Sequence, residues 1–152
     1  LAYLEDASKL ANAVNAATSI ATQVESQLTA VRSAIQRDLD VDPAMDYRVR
    51  QLEINLMDIM EAFDGDPTKA RRNEAAETGL NDRIRNMMFG ALGSTEGPTE
   101  THRRQYEIAK EEYEESVSGL RNLIDEELPK LFAELDEAGV PWTPGRTLPK
   151  LD

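Results

Sequence analysis

Between Leu10 and Ile35 apolar residues recur at steps that alternate four and three: Leu10, Val14, Ala17, Ala21, Val24, Leu28, Val31 and Ile35. That alternation keeps one stripe of an α-helix facing a partner, and a strand could not use it, because strand side chains change face at every residue. The spacing predicts one long helix over roughly residues 2–39. Its early half is rich in Ala, so a neighbouring helix can approach closely there.

The same reading continues along the chain. Asp40 to Pro43 breaks the first helix. Asp42 is placed to cap the next through its carboxylate, and Pro43 suits a first helical position because its missing N–H is not needed there. A second helix over roughly 43–63 carries Met45, Val49, Leu52, Leu56, Ile59 and Phe63, and Asp64-Gly65 closes it. GDPTKARRNE, at 65–74, reads as a cap at Asp66, a proline in the first turn and one short helical turn. A third helix follows over roughly 79–92, started by Thr78 and carrying Leu80, Ile84, Met87, Met88 and Ala91.

Thr99 is placed to cap a fourth helix over roughly 100–138, with a seam of Tyr106, Ala109, Tyr113, Val117, Leu120, Ile124, Leu131 and Leu135. The step near Glu127 and Leu128 is blurred beside Pro129, which predicts a kink at 125–129. Gly139 ends the helix, and the tail from Val140 holds Pro141, Trp142, Pro144 and Pro149 and is expected to be extended.

Two long and two shorter helices on short connections imply an all-α fold, an antiparallel up-down-up-down four-helix bundle over residues 1–139. The Pro-rich tail, 140–152, is expected to pack on the bundle. A lone Trp is costly to leave in water, so the indole is expected to plug a groove as the tail folds back, the preferred reading, or else to dock on another domain.

Charge bounds the partners. With 17 Lys plus Arg against 29 Asp plus Glu the net charge is −12, and phosphate-rich surfaces need the opposite sign, so no nucleic-acid partner is expected. The apolar runs fall short of the roughly 20 residues that span a bilayer, so no membrane insertion is expected. The chain has no Cys and so no disulfide or thiolate metal site. Its opening, Leu1-Ala2-Tyr3, reads as a piece of something longer.

Catalytic chemistry finds little support. His102, the single His, needs a positioned nucleophile and an orienting partner, and neither stands near it in sequence, so it reads as a solvated surface group. Glu107, Glu111, Glu114 and Glu115 lack the Glu-x-x-His partners of a di-iron bundle and read as a solvated face beside Lys110, Arg103 and Arg104. No catalytic, cofactor-binding or metal-ligating residue is assigned, and no cofactor is expected. The residues assigned to interaction are Arg71, Arg72 and Arg83, from the modest basic cluster in the middle of the chain, and Trp142. For that cluster, which also holds Lys69, Arg85, Arg103 and Arg104, the competing reading is neutralisation of Asp64, Asp66, Glu74, Glu77 and Asp82.

Four stretches carry a family resemblance: GDPTKARRNE at 65–74, NDRI at 81–84, QYEIAKEEYE at 105–114 and LFAELDEAGVPWTPGR at 131–146. Together they resemble the C-terminal helical region of bacterial sortilin-like, Asp-box-repeat β-propeller proteins, often labelled glycosyl hydrolases. The resemblance covers about residues 25–146. It implies an exported parent with a propeller and this bundle as an appended module, and a glycosidase label would belong to the propeller, since no Asp-box occurs here.

The function expected is therefore that of a non-catalytic module that packs against, orients or oligomerises a neighbouring domain. The alternative is a protein- or ligand-binding module using the Arg-rich middle or the groove around Trp142. Self-association stays open, because heptads serve seams within and between chains alike.

Overall fold

The computed structural model describes residues 2–66, 71–72, 79–93, 99–149 and 151. All regular structure among them is helical. Helix α1 spans Ala2–Gln36, α2 Pro43–Asp64, α3 Leu80–Leu92 and α4 Glu100–Asn122; a π-helical turn over Leu123–Glu127 then leads into α5, Leu128–Glu137. Thr78, Pro67, Lys69, Glu74 and Glu77, and with them most of the short turn expected at 65–74, lie outside the described residues.

The chain divides into two compact units, one of residues 1–19 and 58–118, the other of residues 20–57 and 119–152. In the first unit, the opening turns of α1 bury Tyr3, Ala7, Leu10, Val14 and Ala17, continuing the four-three alternation back to the start of the helix. Ile59 and Phe63 of α2, Leu80, Ile84 and Met87 of α3, and Ala109 and Val117 of α4 are also buried. Gly65 ends α2 with φ +77°, a left-handed conformation that glycine adopts without strain. Gly79, just before α3, lies so close to this end that a Cβ there would stand 2.5 Å from backbone atoms of Asp64 and Gly65. Close approach, not turn geometry, requires the missing side chain.

In the second unit, Ala21, Val24, Leu28, Val31 and Ile35 of α1 and Val49, Leu52 and Leu56 of α2 are buried. The carboxylate of Asp42 accepts the Ala44 amide at 2.9 Å, so Pro43 opens α2 behind a capped end. Arg32 pairs with Glu53, and Arg48 with Glu134. These half-exposed pairs each contribute about 1 kcal/mol or less, and their main effect is to set which helices meet.

The irregularity expected at 125–129 takes the form of the π turn. The Leu128 amide donates to the carbonyl of Leu123, five residues back. Pro129 has no N–H for an α-helical bond, and its ring would crowd the carbonyl four residues earlier; the wider turn relieves both. The buried series is consequently Leu120, Leu123, Leu128, Leu131, Leu135, with one step of five. Leu123 takes the buried place expected for Ile124, which is only half-buried. An unbroken 3.5-residue period cannot place both Leu123 and Leu128 inward.

The tail folds back within the second unit, but not by its indole. Val140, Thr143 and Arg146 are buried while Trp142 is 54% exposed, so the expectation of a plugged Trp is corrected. The backbone of 140–146 decides the matter: burying every third residue inward leaves Trp142, one step off that period, outside. Gly145, with φ +95°, passes against the Gln27 side chain of α1.

Candidate functional site

The four residues assigned to interaction are divided between the two units. Arg83 sits on α3 in the first unit and donates to Glu112 of α4, not to the nearby carboxylates expected to neutralise it. Arg85 lies 3.6 Å from Asp82, an exposed pair one turn apart. Arg71 and Arg72 are exposed, and Arg72 has a polar partner of its own. Trp142 belongs to the second unit.

His102 is not a solvated surface group. It is half-buried at the third position of α4, where its Nδ1 accepts the Thr99 amide at 3.1 Å while its own amide donates to Thr99 Oγ1 at 3.3 Å. This is a reciprocal capping box in which His stands where Glu or Gln is usual. The ring lies 6.3 Å from that of Tyr3, which also meets Tyr106 edge-on at 6.2 Å. The Tyr3 hydroxyl is buried with no hydrogen-bond partner among the described residues, and burial pushes its ionisation above the ordinary phenol range. With Nδ1 facing both the amide and, at 3.2 Å, the hydroxyl of Thr99, the imidazole has a structural task in the cap.

A groove of about 540 Å³ runs along α1 and α3 in the first unit, with Ala11, Ile84, Met88 and Phe89 among its walls. Its polar end is Asn81, whose amide donates to Asp64 at 2.8 Å and to Thr18 at 3.4 Å. One side chain thereby ties α1, α2 and α3 together. Asn15, Asp82 and Arg85 also line the groove, with Arg85 3.6 Å from Asp82. Among the described residues no three carboxylate or imidazole groups gather as a metal site, and no helix is long and apolar enough to cross a membrane.

The second unit carries the surface that reading the core seams alone misses. Tyr47, Ile54 and Met57 of α2 are 65%, 52% and 66% exposed. Their spacing of seven and three is that of a heptad stripe. At about 100° per residue, Tyr47 and Ile54 point nearly opposite the buried Val49, Leu52 and Leu56. Several neighbouring charges are paired, Asp46 with Arg50 at 2.9 Å, Glu53 with Arg32, and Arg48 with Glu134, whereas the exposed Asp58 and Glu61, further along the same helix face, make no ion pair among the described residues. This is an apolar helix face with acidic residues at its C-terminal end. The signal was present in the sequence as a second apolar series out of phase with the first.

The corner at the end of α5 is built by Arg146. Its side chain is only 3% exposed, pairs with Asp136, and donates to the carbonyls of Val140, at 3.0 Å, and Pro141. Gly139, with φ +72°, turns the chain, and the Val140 amide returns to the Leu135 carbonyl at 3.0 Å. The Trp142 indole N–H donates to the Arg146 carbonyl at 2.9 Å, and the ring lines an open groove of about 710 Å³.

No protein-family model, no curated protein and no solved structure matches the chain.

Proposed function

We propose that this chain is a non-catalytic accessory module, its helices running alternately up and down as a four-helix bundle, that docks on a neighbouring domain of its parent protein through the outer face of α2. The observation that carries the reading is the Tyr47–Ile54–Met57 stripe. Scattered exposed apolar residues are ordinary, but a heptad-spaced row opposite a helix's own core seam offers a second seam. Because Asp46 and Arg50 are paired beside the stripe, the complementary surface is apolar where it meets Tyr47 and Ile54. The resemblance of the 131–146 stretch to bundles that accompany β-propellers supports a propeller as that neighbour. The Arg-rich middle is the weaker alternative, since Arg83 is committed to Glu112.

The test is the mass of the chain by light scattering over a concentration series, with Ile54→Asp alongside. A monomer throughout, with an unchanged unfolding midpoint in the variant, fits a face kept for another domain. A dimer that Ile54→Asp abolishes replaces that reading with self-association. A variant that loses more than about 1.5 kcal/mol would mean that the chain already covers this face, and the proposal would fail.

A further inference from the structure

The corner at the end of α5 presents a second surface of different chemistry from the α2 face. Trp142 has one polar atom, and the Arg146 carbonyl occupies it at 2.9 Å. What the half-exposed indole offers to the outside is its ring, whose π face attracts cations. Asp136 and Glu137 line the same groove as Trp142, with Pro141, Leu148 and Pro149. Asp136 gives Oδ1 to Arg146 and its side chain is still about half exposed. Glu137 is exposed and makes no ion pair or hydrogen bond among the described residues.

Charge accounting around the groove leaves an excess. The buried guanidinium of Arg146 balances one carboxylate, and the second has no counterpart among the described residues. Both acids stand in the last turn of α5, which contains no basic residue, at the end of a helix where the backbone dipole favours positive charge. The chain as a whole carries −12, which draws cations towards it.

We propose that this corner receives an arginine side chain from a partner protein segment. Its guanidinium stacks on the Trp142 ring and bonds to Glu137 and the outer oxygen of Asp136, and its methylenes lie along Pro141 and Leu148. Arginine fits better than lysine because the guanidinium is flat, weakly hydrated and matched to carboxylates in pairs. A bilayer is the less suitable partner: anionic headgroups meet two carboxylates here.

Trp142 is the sole Trp, so its emission reports on this corner alone. The probe is an N-acetylated, amidated tetra-arginine peptide, titrated into the whole chain at low salt and followed by Trp fluorescence. The expected result is a saturable change that Glu137→Gln weakens by about fivefold, roughly the loss of one favourable charge contact. Glu111→Gln, which removes the same charge from an exposed position on α4, should leave the titration unaltered. Equal weakening by both variants would reduce the effect to net charge and overturn the proposal. So would an emission spectrum that tetra-arginine does not move, or one that phosphatidylcholine vesicles move when the peptide does not. The α2 face plays no part in this readout, so failure here leaves the docking proposal standing.

Discussion

Trp142 and Arg146 hold each other across four residues: the indole N–H donates to the Arg146 carbonyl, while the Arg146 guanidinium reaches back to Asp136 and the carbonyls of Val140 and Pro141. In this pair the charged residue is inside and the aromatic one is outside. The tail is therefore closed by hydrogen bonds to a buried cation, with the indole as a clasp on its rim.

That inversion fixes the order of two substitutions. Arg146→Ala removes a charge-assisted pair and leaves carbonyls without donors, and should cost about 2–3 kcal/mol. Trp142→Ala loses one hydrogen bond and only part of a ring's burial, and should cost about 1 kcal/mol. Urea unfolding of both variants checks the order; a larger loss for Trp142→Ala would mean that the indole, not the guanidinium, closes the tail.

Gly79→Ala should destabilise the first unit by about 2 kcal/mol or more. The added Cβ meets backbone of Asp64 and Gly65 at 2.5 Å, and backbone yields less readily than a side chain. Gly139→Ala separates the two reasons for a glycine, since no atom lies within 4 Å of a Cβ at Gly139 and only its φ of +72° resists. It should cost about 1 kcal/mol. Equal midpoints for the two variants would contradict the close-approach account.

At the start of α4 the capping box predicts opposite effects for two changes at one residue. His102→Ala removes the acceptor for the Thr99 amide and should lower stability by about 0.5–1 kcal/mol. His102→Glu restores an acceptor and adds negative charge at a helix N-terminus, so it should match or exceed the wild type by a few tenths, about 0.3–0.5 kcal/mol. Thermal unfolding of the pair decides; a loss in both would place the value of His102 in its ring contacts with Tyr3.

Tyr3→Phe should leave stability at neutral pH unchanged or raise it by about 1 kcal/mol, because the buried hydroxyl has no partner to lose. The pH dependence follows from the raised ionisation of Tyr3. Below about pH 10 the phenol is protonated in both the folded and the unfolded chain and contributes no slope. Above it the unfolded chain ionises first, so wild-type stability falls as pH rises towards the folded value. The advantage of Tyr3→Phe should therefore grow above pH 10 in urea titrations, and a constant difference from pH 8 to 11 would contradict burial as the cause.

The helices were legible because their seams are periodic and their ends carry local chemistry. The four-three series of α1 is buried at all eight positions from Leu10 to Ile35. Asp42-Pro43 and Thr99 name their own helix starts, since a cap is decided by two or three adjacent residues. Pro129 announced an irregularity near 125–129. Whether it would be a kink or a π turn was not written locally, because both relieve the same missing N–H and the choice depends on which Leu the surrounding helices bury.

What the sequence determined by itself, then, is the helical class, the inward stripe of α1 and most of that of α2, and the residues that start α2 and α4. These follow from side-chain periodicity and from bonds between near neighbours. Only the tertiary structure decided that Arg83 spends its charge on Glu112, that His102 closes a cap, and that Arg146 is inside while Trp142 is not. It also left Tyr47, Ile54 and Met57 uncovered. Those outcomes turn on which groups distant in the chain are brought within bonding reach, and a charged or aromatic side chain takes its place from that competition, not from its own preference for water.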